Sequence, residues 1–275
     1  MFTMLNVFLS LFLFLHSAFF TMETDIKKID LKLDEEEIAF HFFDLSDGEA
    51  MLMTSGKGET ALVNTGSSES RNELKKRLSL YDITSIDDLI LTGSDDKLAG
   101  NAAWLTNEYS VKKLFTTPFI QDELQLPVSF YPLKLNEQNE ILSGLSIKMI
   151  FQPEENKAIS FILNYGQNQL LFMGDVNHEI EKKLAADHEL DSDILKVSAF
   201  GSAQTTSQFF LDHVDPDVAI VFKEKGKKPT DQVMERLQEA WIDIYLPYHI
   251  GLVIITCDKD FYDITKIRIE ERNYS

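Results

Sequence analysis

The side chains best suited to binding a metal or attacking a carbon centre in this 275-residue chain are six histidines and one cysteine. They are scattered. His16 falls in an apolar N-terminal stretch, and His41 sits in a strand-like run where a packed or half-buried ring is the plain expectation. His178, His188 and His213 fall in stretches that read as helical, in solvated or capping roles. His249 closes the set in the short segment PYHIG. Cys257 ends the apolar run LVIITC, so it reads as a buried strand thiol. A lone cysteine allows no intrachain disulfide, and no neighbouring base marks it as a nucleophile. Serines follow glycine in GSS (66–68) and FGS (200–202), but neither is a GxSxG elbow. No glycine-rich nucleotide-binding pattern is present.

Composition narrows the class. With 44% hydrophobic residues a core is affordable, so a folded body is expected. The 45 acidic against 26 basic residues give a net charge of -19, which argues against nucleic acid, because phosphate binding rests on Lys and Arg. Residues 1–22 carry no Asp, Glu, Lys or Arg, and Leu5 to Met22 is long enough to cross a hydrocarbon core. Bulky Phe19 and Phe20 interrupt the small-residue site that cleavage would want near Ser17 and Ala18, and no cysteine near residue 20 offers a lipid anchor. The segment reads as an uncleaved anchor or poorly cleaved signal holding the body outside the cytoplasm, or in a secreted form. A true start at Met22 would instead leave a soluble cytoplasmic protein. Residues 23–36 are charged and read as a spacer.

The elements that must position any site follow from residue 37 onward. Strand-like runs at 38–43, 50–55 and 60–65 are separated by DG and GKG turns, then a helix is expected near 69–80 with Ser67 or Ser68 as cap. LILTG (89–93) reads as a buried strand, 98–108 as a helix, and 111–151 as several short strands punctuated by prolines. Paired strands at 159–165 and 169–174 precede an alternation: helix 176–187, strand 194–200, helix 206–214, strand 218–222, helix 230–241 capped by Thr230, and strand 243–247. Strands 252–257 and 261–268 finish the body. Strand-rich halves closed by helices predict an α+β fold, an αββα sandwich of two mixed sheets spanning one domain, 37–275.

Five segments in register resemble the metallo-β-lactamase-like domain of competence DNA-uptake channel proteins (ComEC type). FFDLSDGEA (42–50) stands where that family has LDVGQGDA, and LVNTG (62–66) where it has LIDGG. TGSDDKLAGN (92–101) matches the metal loop THxDxDHxGG in length, LLFMGDV (170–176) matches LLTGD, and LKVSAFGSAQTTS (195–207) matches LKVxHHGSxxS. The resemblance implies that loops 44–49, 64–68, 93–98, 175–178 and 199–206 meet at one edge of the two sheets.

It also implies a site from which most metal ligands are gone. Gly93 and Leu98 stand at histidine positions, Lys97 replaces the loop aspartate, and Ala199 and Phe200 replace the paired histidines. Asp95 and Asp175 alone keep ligand-capable side chains at matched positions. A catalytic zinc takes about three protein ligands plus an open position, and without it nothing lowers the pKa of water towards 7. The reading is therefore a non-catalytic member of the fold, without a cofactor, that binds an unknown protein or small molecule or serves as a scaffold. Lys97 is expected to pair with Asp175 or Asp95 in place of the metal, with Leu98 and Phe200 filling the remaining volume. The alternatives are a hydrolase of phosphodiesters or similar esters with an atypical zinc site at Asp95, Asp175 and His249, and an accessory to DNA uptake.

Overall fold

The computed structural model describes residues 28–153 and 158–269. The apolar segment 5–22 and its expected helix lie outside them. Among the described residues no helix is long and apolar enough to cross a membrane. The stretch read as a spacer is, from residue 28 on, laid against the body: the Ile29 amide donates to Leu80 O at 2.8 Å, and the Tyr165 hydroxyl donates to Glu36 O at 2.6 Å.

Strand β1 (Ile38–Phe42) shows why the sheets form layers. Ile38, Phe40 and Phe42 point into the core between the sheets, while the next outward position, Phe43, joins the core under the helices. A strand buried on both faces reads as an apolar run rather than an alternation. β1 pairs antiparallel with β2 (Met51–Ser55), which pairs with β3 (Thr60–Val63). Parallel strands β4 (Ser85–Ile90), β5 (Ser110–Thr116) and β6 (Ser129–Pro132) extend that side. The second sheet starts with antiparallel β7 (Gln138–Leu142), β8 (Leu145–Phe151), β9 (Ser160–Tyr165) and β10 (Asn168–Phe172). Parallel β11 (Ile194–Lys196), β12 (Val218–Ile220) and β13 (Asp243–Tyr245) complete it. The chain then returns to the first sheet through β14 (Leu252–Cys257), beside β1, and β15 (Tyr262–Ile267). The two sheets face each other across a core that includes stacked Phe161 and Phe172, 4.7 Å apart.

Helices cover both outer faces, giving the expected αββα sandwich. Helix α1 (Arg71–Leu80) buries Leu74 and Leu78, four residues apart on one stripe. The expected helix 98–108 is two short ones, α2 (Asp96–Ala99) and α3 (Ala102–Glu108), divided at Gly100 and Asn101. Helix α4 (Pro118–Leu124) stands where short strands were expected, with Thr117 as its cap and Pro118 in its first turn. On the second sheet lie α5 (His178–Asp187), α6 (Gln208–Val214) and α7 (Asp231–Glu239), followed by the short turn α8 (Pro247–Ile250). Neither Ser67 nor Ser68 caps α1, because a 3-10 turn over Ser68–Ser70 precedes it. Thr230 holds the N-cap position of α7, but its hydroxyl is donated to Gly201 O at 3.2 Å rather than serving the helix.

Candidate functional site

The five loops meet at one edge of the sandwich, and backbone hydrogen bonds lock them together. Glu49 N donates to Lys97 O (3.1 Å), Gly66 N to Glu49 O (3.0 Å) and Thr65 N to Leu98 O (2.7 Å). Val176 N donates to the Ser198 hydroxyl (3.2 Å), and His178 N to Gln204 O (3.1 Å). The approach is too close for a side chain at Gly48: it sits at φ +83°, and a Cβ there would lie 2.3 Å from Lys97 O.

Several non-glycine residues at this edge hold left-handed backbone. Asn64 has φ 57°, and Ala199 and Phe200 adopt φ 43° and 54° in succession before Gly201 at φ 78°. Each such residue costs of order 1–3 kcal/mol, so the surroundings must impose it. At Asn64 the side chain does so, donating to Glu49 Oε1 (2.8 Å) while its Oδ1 accepts from the Thr92 amide and hydroxyl, each at 3.0 Å.

Between these loops lies a cavity of about 300 Å³. Its lining includes Asp95, Lys97, Leu98, Asp175, Ala199 and Phe200, so the structure brings together every remnant position except Gly93 in its wall. Gly93 lies just behind. A Cβ on it would sit 2.6 Å from Leu98 Cδ1, so the leucine fills the space beside it. Leu98 is buried and Phe200 half-buried, yet they leave a cavity beside them, contrary to the expectation that apolar volume fills it.

The counter-charge expected of Lys97 also differs. Lys97 pairs with Glu224 at 2.6 Å, not with Asp95 or Asp175. Glu224 comes from the segment after β12 and accepts Lys227 too, at 2.7 Å. Partial burial would raise the Glu224 pKa, but the two lysines outweigh it and hold the carboxyl below its usual range. Deeper in, Lys196 of β11 meets Glu49 at 2.5 Å, with both side chains almost wholly buried, and donates to Met173 O at 2.9 Å. Its ammonium also lies 4.5 Å from the centre of the Phe172 ring. Burial raises the Glu49 pKa against the pull of Lys196. Asp95 is exposed and Asp175 half-buried; burial and then the Asp175 charge raise the Asp95 pKa. Glu49, Lys196, Glu224 and Asn64 are the residues that sequence reasoning missed.

The remaining candidates lie elsewhere. His249 is exposed, lies tilted against the Tyr248 ring and does not line the cavity. His41 is buried on the outer face of the first sheet, shares a hydrogen bond with the Thr54 hydroxyl (2.9 Å) and stands edge-on to Tyr81. Burial lowers its pKa to about 3. The Cys257 thiol is pushed up to about 12, first by burial and then by Asp193 and Asp258, so it is no nucleophile.

The layered sheets, their order and the loop edge define the metallo-β-lactamase fold, and comparison of shapes agrees. The metallo-β-lactamase fold protein YhfI of Bacillus subtilis superposes with a TM-score of 0.57 at 9% identity, covering 83% of this chain and 100% of that one. A metallo hydrolase from the archaeon Ignicoccus hospitalis superposes with a TM-score of 0.53 at 11% identity, covering 84% of this chain and 100% of that one. No protein-family model matches the sequence, and no curated protein matches it.

The fold implies a metal, so the donor set is the test. Among the described residues no three His, Cys, Asp or Glu side chains group so as to hold a metal ion. The cavity is lined by four carboxylates and no imidazole; Glu49 and Glu224 are taken up by Lys196 and Lys97, which leaves Asp95 and Asp175, fewer than the three protein ligands a catalytic zinc takes. These residues do not fit a catalytic zinc.

Proposed function

We propose that this chain is a non-catalytic protein of the metallo-β-lactamase fold that serves by binding or scaffolding. We further propose that it is related to the DNA-uptake channel type of domain, on the resemblance of its five loop segments, with its body carried outside the cytoplasm by the segment 5–22. One observation carries the reading: both lysines that line the cavity are neutralised by carboxylates, Lys196 by Glu49 and Lys97 by Glu224. The positive charge at this edge is thus internal to the protein, and the open cavity is left as a place to bind rather than to generate hydroxide. The net charge of -19 supports a protein or small-molecule partner over a nucleic acid.

Elemental analysis of the purified full chain, together with thermal melts in zinc and in EDTA, tests this. The expected result is substoichiometric metal and one melting temperature in both solutions. One zinc per chain, with a melting temperature that falls in EDTA, would overturn the proposal and favour a hydrolase with an atypical site.

A further inference from the structure

Of the large apolar side chains in the described residues, Trp241 and Phe261 are the most exposed, at 92% and 74%. Both lie at the end of the sandwich away from the cavity. The cavity is at the C-terminal ends of β11 and β12, whereas Asp193, Asp217 and Asp243 stand at the N-terminal ends of β11, β12 and β13. The tip of the β14–β15 hairpin reaches this same end. The Tyr262 hydroxyl donates to Asp217 Oδ2 at 3.1 Å, and Asn168 Nδ2 donates to Asp258 O at 2.8 Å.

Neither aromatic is placed by chance geometry. Trp241 follows the C-cap of α7 at φ 59°; its amide donates to Gln238 O, and the next amide, of Ile242, donates to Leu237 O. That is the helix-ending arrangement in which glycine is usual, because a Cβ is disfavoured there. A tryptophan so exposed gains no burial to offset the strained backbone, so the fold itself does not explain it. Phe261 is held outward by a turn in which the amides of Asp260 and Phe261 both donate to Asp258 Oδ1, each at 2.7 Å.

The charge around the two rings is mostly negative. Among the described residues Asp193, Asp217, Asp243, Asp258 and Asp260 make no ion pair. Five aspartates outnumber the two nearby cations, Lys259 at 3.6 Å from the centre of Tyr165 and Lys266 at 5.5 Å from that of Tyr245.

We propose that this end of the sandwich docks a Lys- and Arg-rich polypeptide segment, with Trp241 and Phe261 as aromatic anchors and the aspartates around them as its charge. Exposed aromatics supply the apolar and cation–π contact that typically dominates an interface, and unpaired carboxylates steer a basic partner while repelling nucleic acid and anionic lipid.

The test uses the full chain carrying Trp104→Phe, which leaves Trp241 as the reporter of its two tryptophans. Titration with a short synthetic peptide of alternating lysine and leucine should shift Trp241 emission to the blue and saturate. Affinity, read by calorimetry on the otherwise unmodified chain, should fall about tenfold in Trp241→Gly and likewise in Asp217→Asn/Asp243→Asn. Trp241→Gly should melt no lower than the parent, since glycine suits the backbone there, so lost binding is separated from lost folding. Equal affinity in Trp241→Gly would overturn the proposal. A blue shift with neutral phosphatidylcholine vesicles and none with the peptide would overturn it also, in favour of a membrane contact.

Discussion

Replacing Lys196 with methionine removes the buried cation while keeping most of the side-chain volume. Lys196 and Glu49 are almost wholly buried and 2.5 Å apart, and the Glu49 carboxylate also accepts from the Asn64 side-chain amide at 2.8 Å. The variant therefore strands a carboxylate in a low-dielectric site, for which breaking one side of a buried pair typically costs about 3–5 kcal/mol. Removing both charges with Lys196→Met/Glu49→Gln should recover most of that loss, because the desolvation cost of both ions disappears with them. Urea denaturation of the parent, both single variants and the double variant measures this directly. The acid limb adds a second check. The Glu49 pKa is already raised above its unfolded value, so its charged form is penalised in the fold, and lowering the pH through its folded value should restore part of the stability of Lys196→Met. A loss under about 1 kcal/mol, or a double variant less stable than either single one, would refute the reasoning.

Two further outcomes follow from other groups. His41 is buried neutral with its pKa lowered to about 3, so its contribution to stability is complete above the unfolded value near 6.5 and is lost as pH falls below it. Between pH 6.5 and 5 the wild type should lose about 2 kcal/mol more than His41→Leu, read from denaturant titrations at each pH, and parallel curves would refute this. Lys97→Ala should cost under about 1 kcal/mol in the same assay, because its partly exposed pair with Glu224 is screened by solvent.

The sandwich was legible because central strands such as β1, β9 and β14 are buried on both faces, so they announce themselves as apolar runs between turns. The loop edge was legible through the resemblance of five segments in register, and Gly48 and Gly201 within them stand where backbones approach closely. The charges were less so. Lys196 interrupts the apolar run ILKV, and a lysine inside a doubly buried strand requires a buried acid; that signal was present, and Glu49 beside Gly48 answers it. Glu224 lies in the charged stretch KEKGKK, which reads as a solvated loop, so nothing local marks it as the partner of Lys97. Attention to matched positions alone pointed Lys97 at Asp175 and Asp95. Helix α4 was hidden for a different reason: Thr117 and Pro118 form a sound helix start, but proline in a strand-rich stretch reads first as a turn.

The return of β14 to lie against β1 has a consequence for how the chain is made. Ile38 faces Cys257 across that ladder, so the first sheet lacks an inner strand until nearly all of the second sheet has left the ribosome. The nascent chain must carry β1, with its row of unpaired amides and carbonyls, through the whole synthesis of the other layer. Closure of the first sheet accordingly waits for the β14–β15 hairpin, and is slow in the manner of topologies whose contacts join distant parts of the chain.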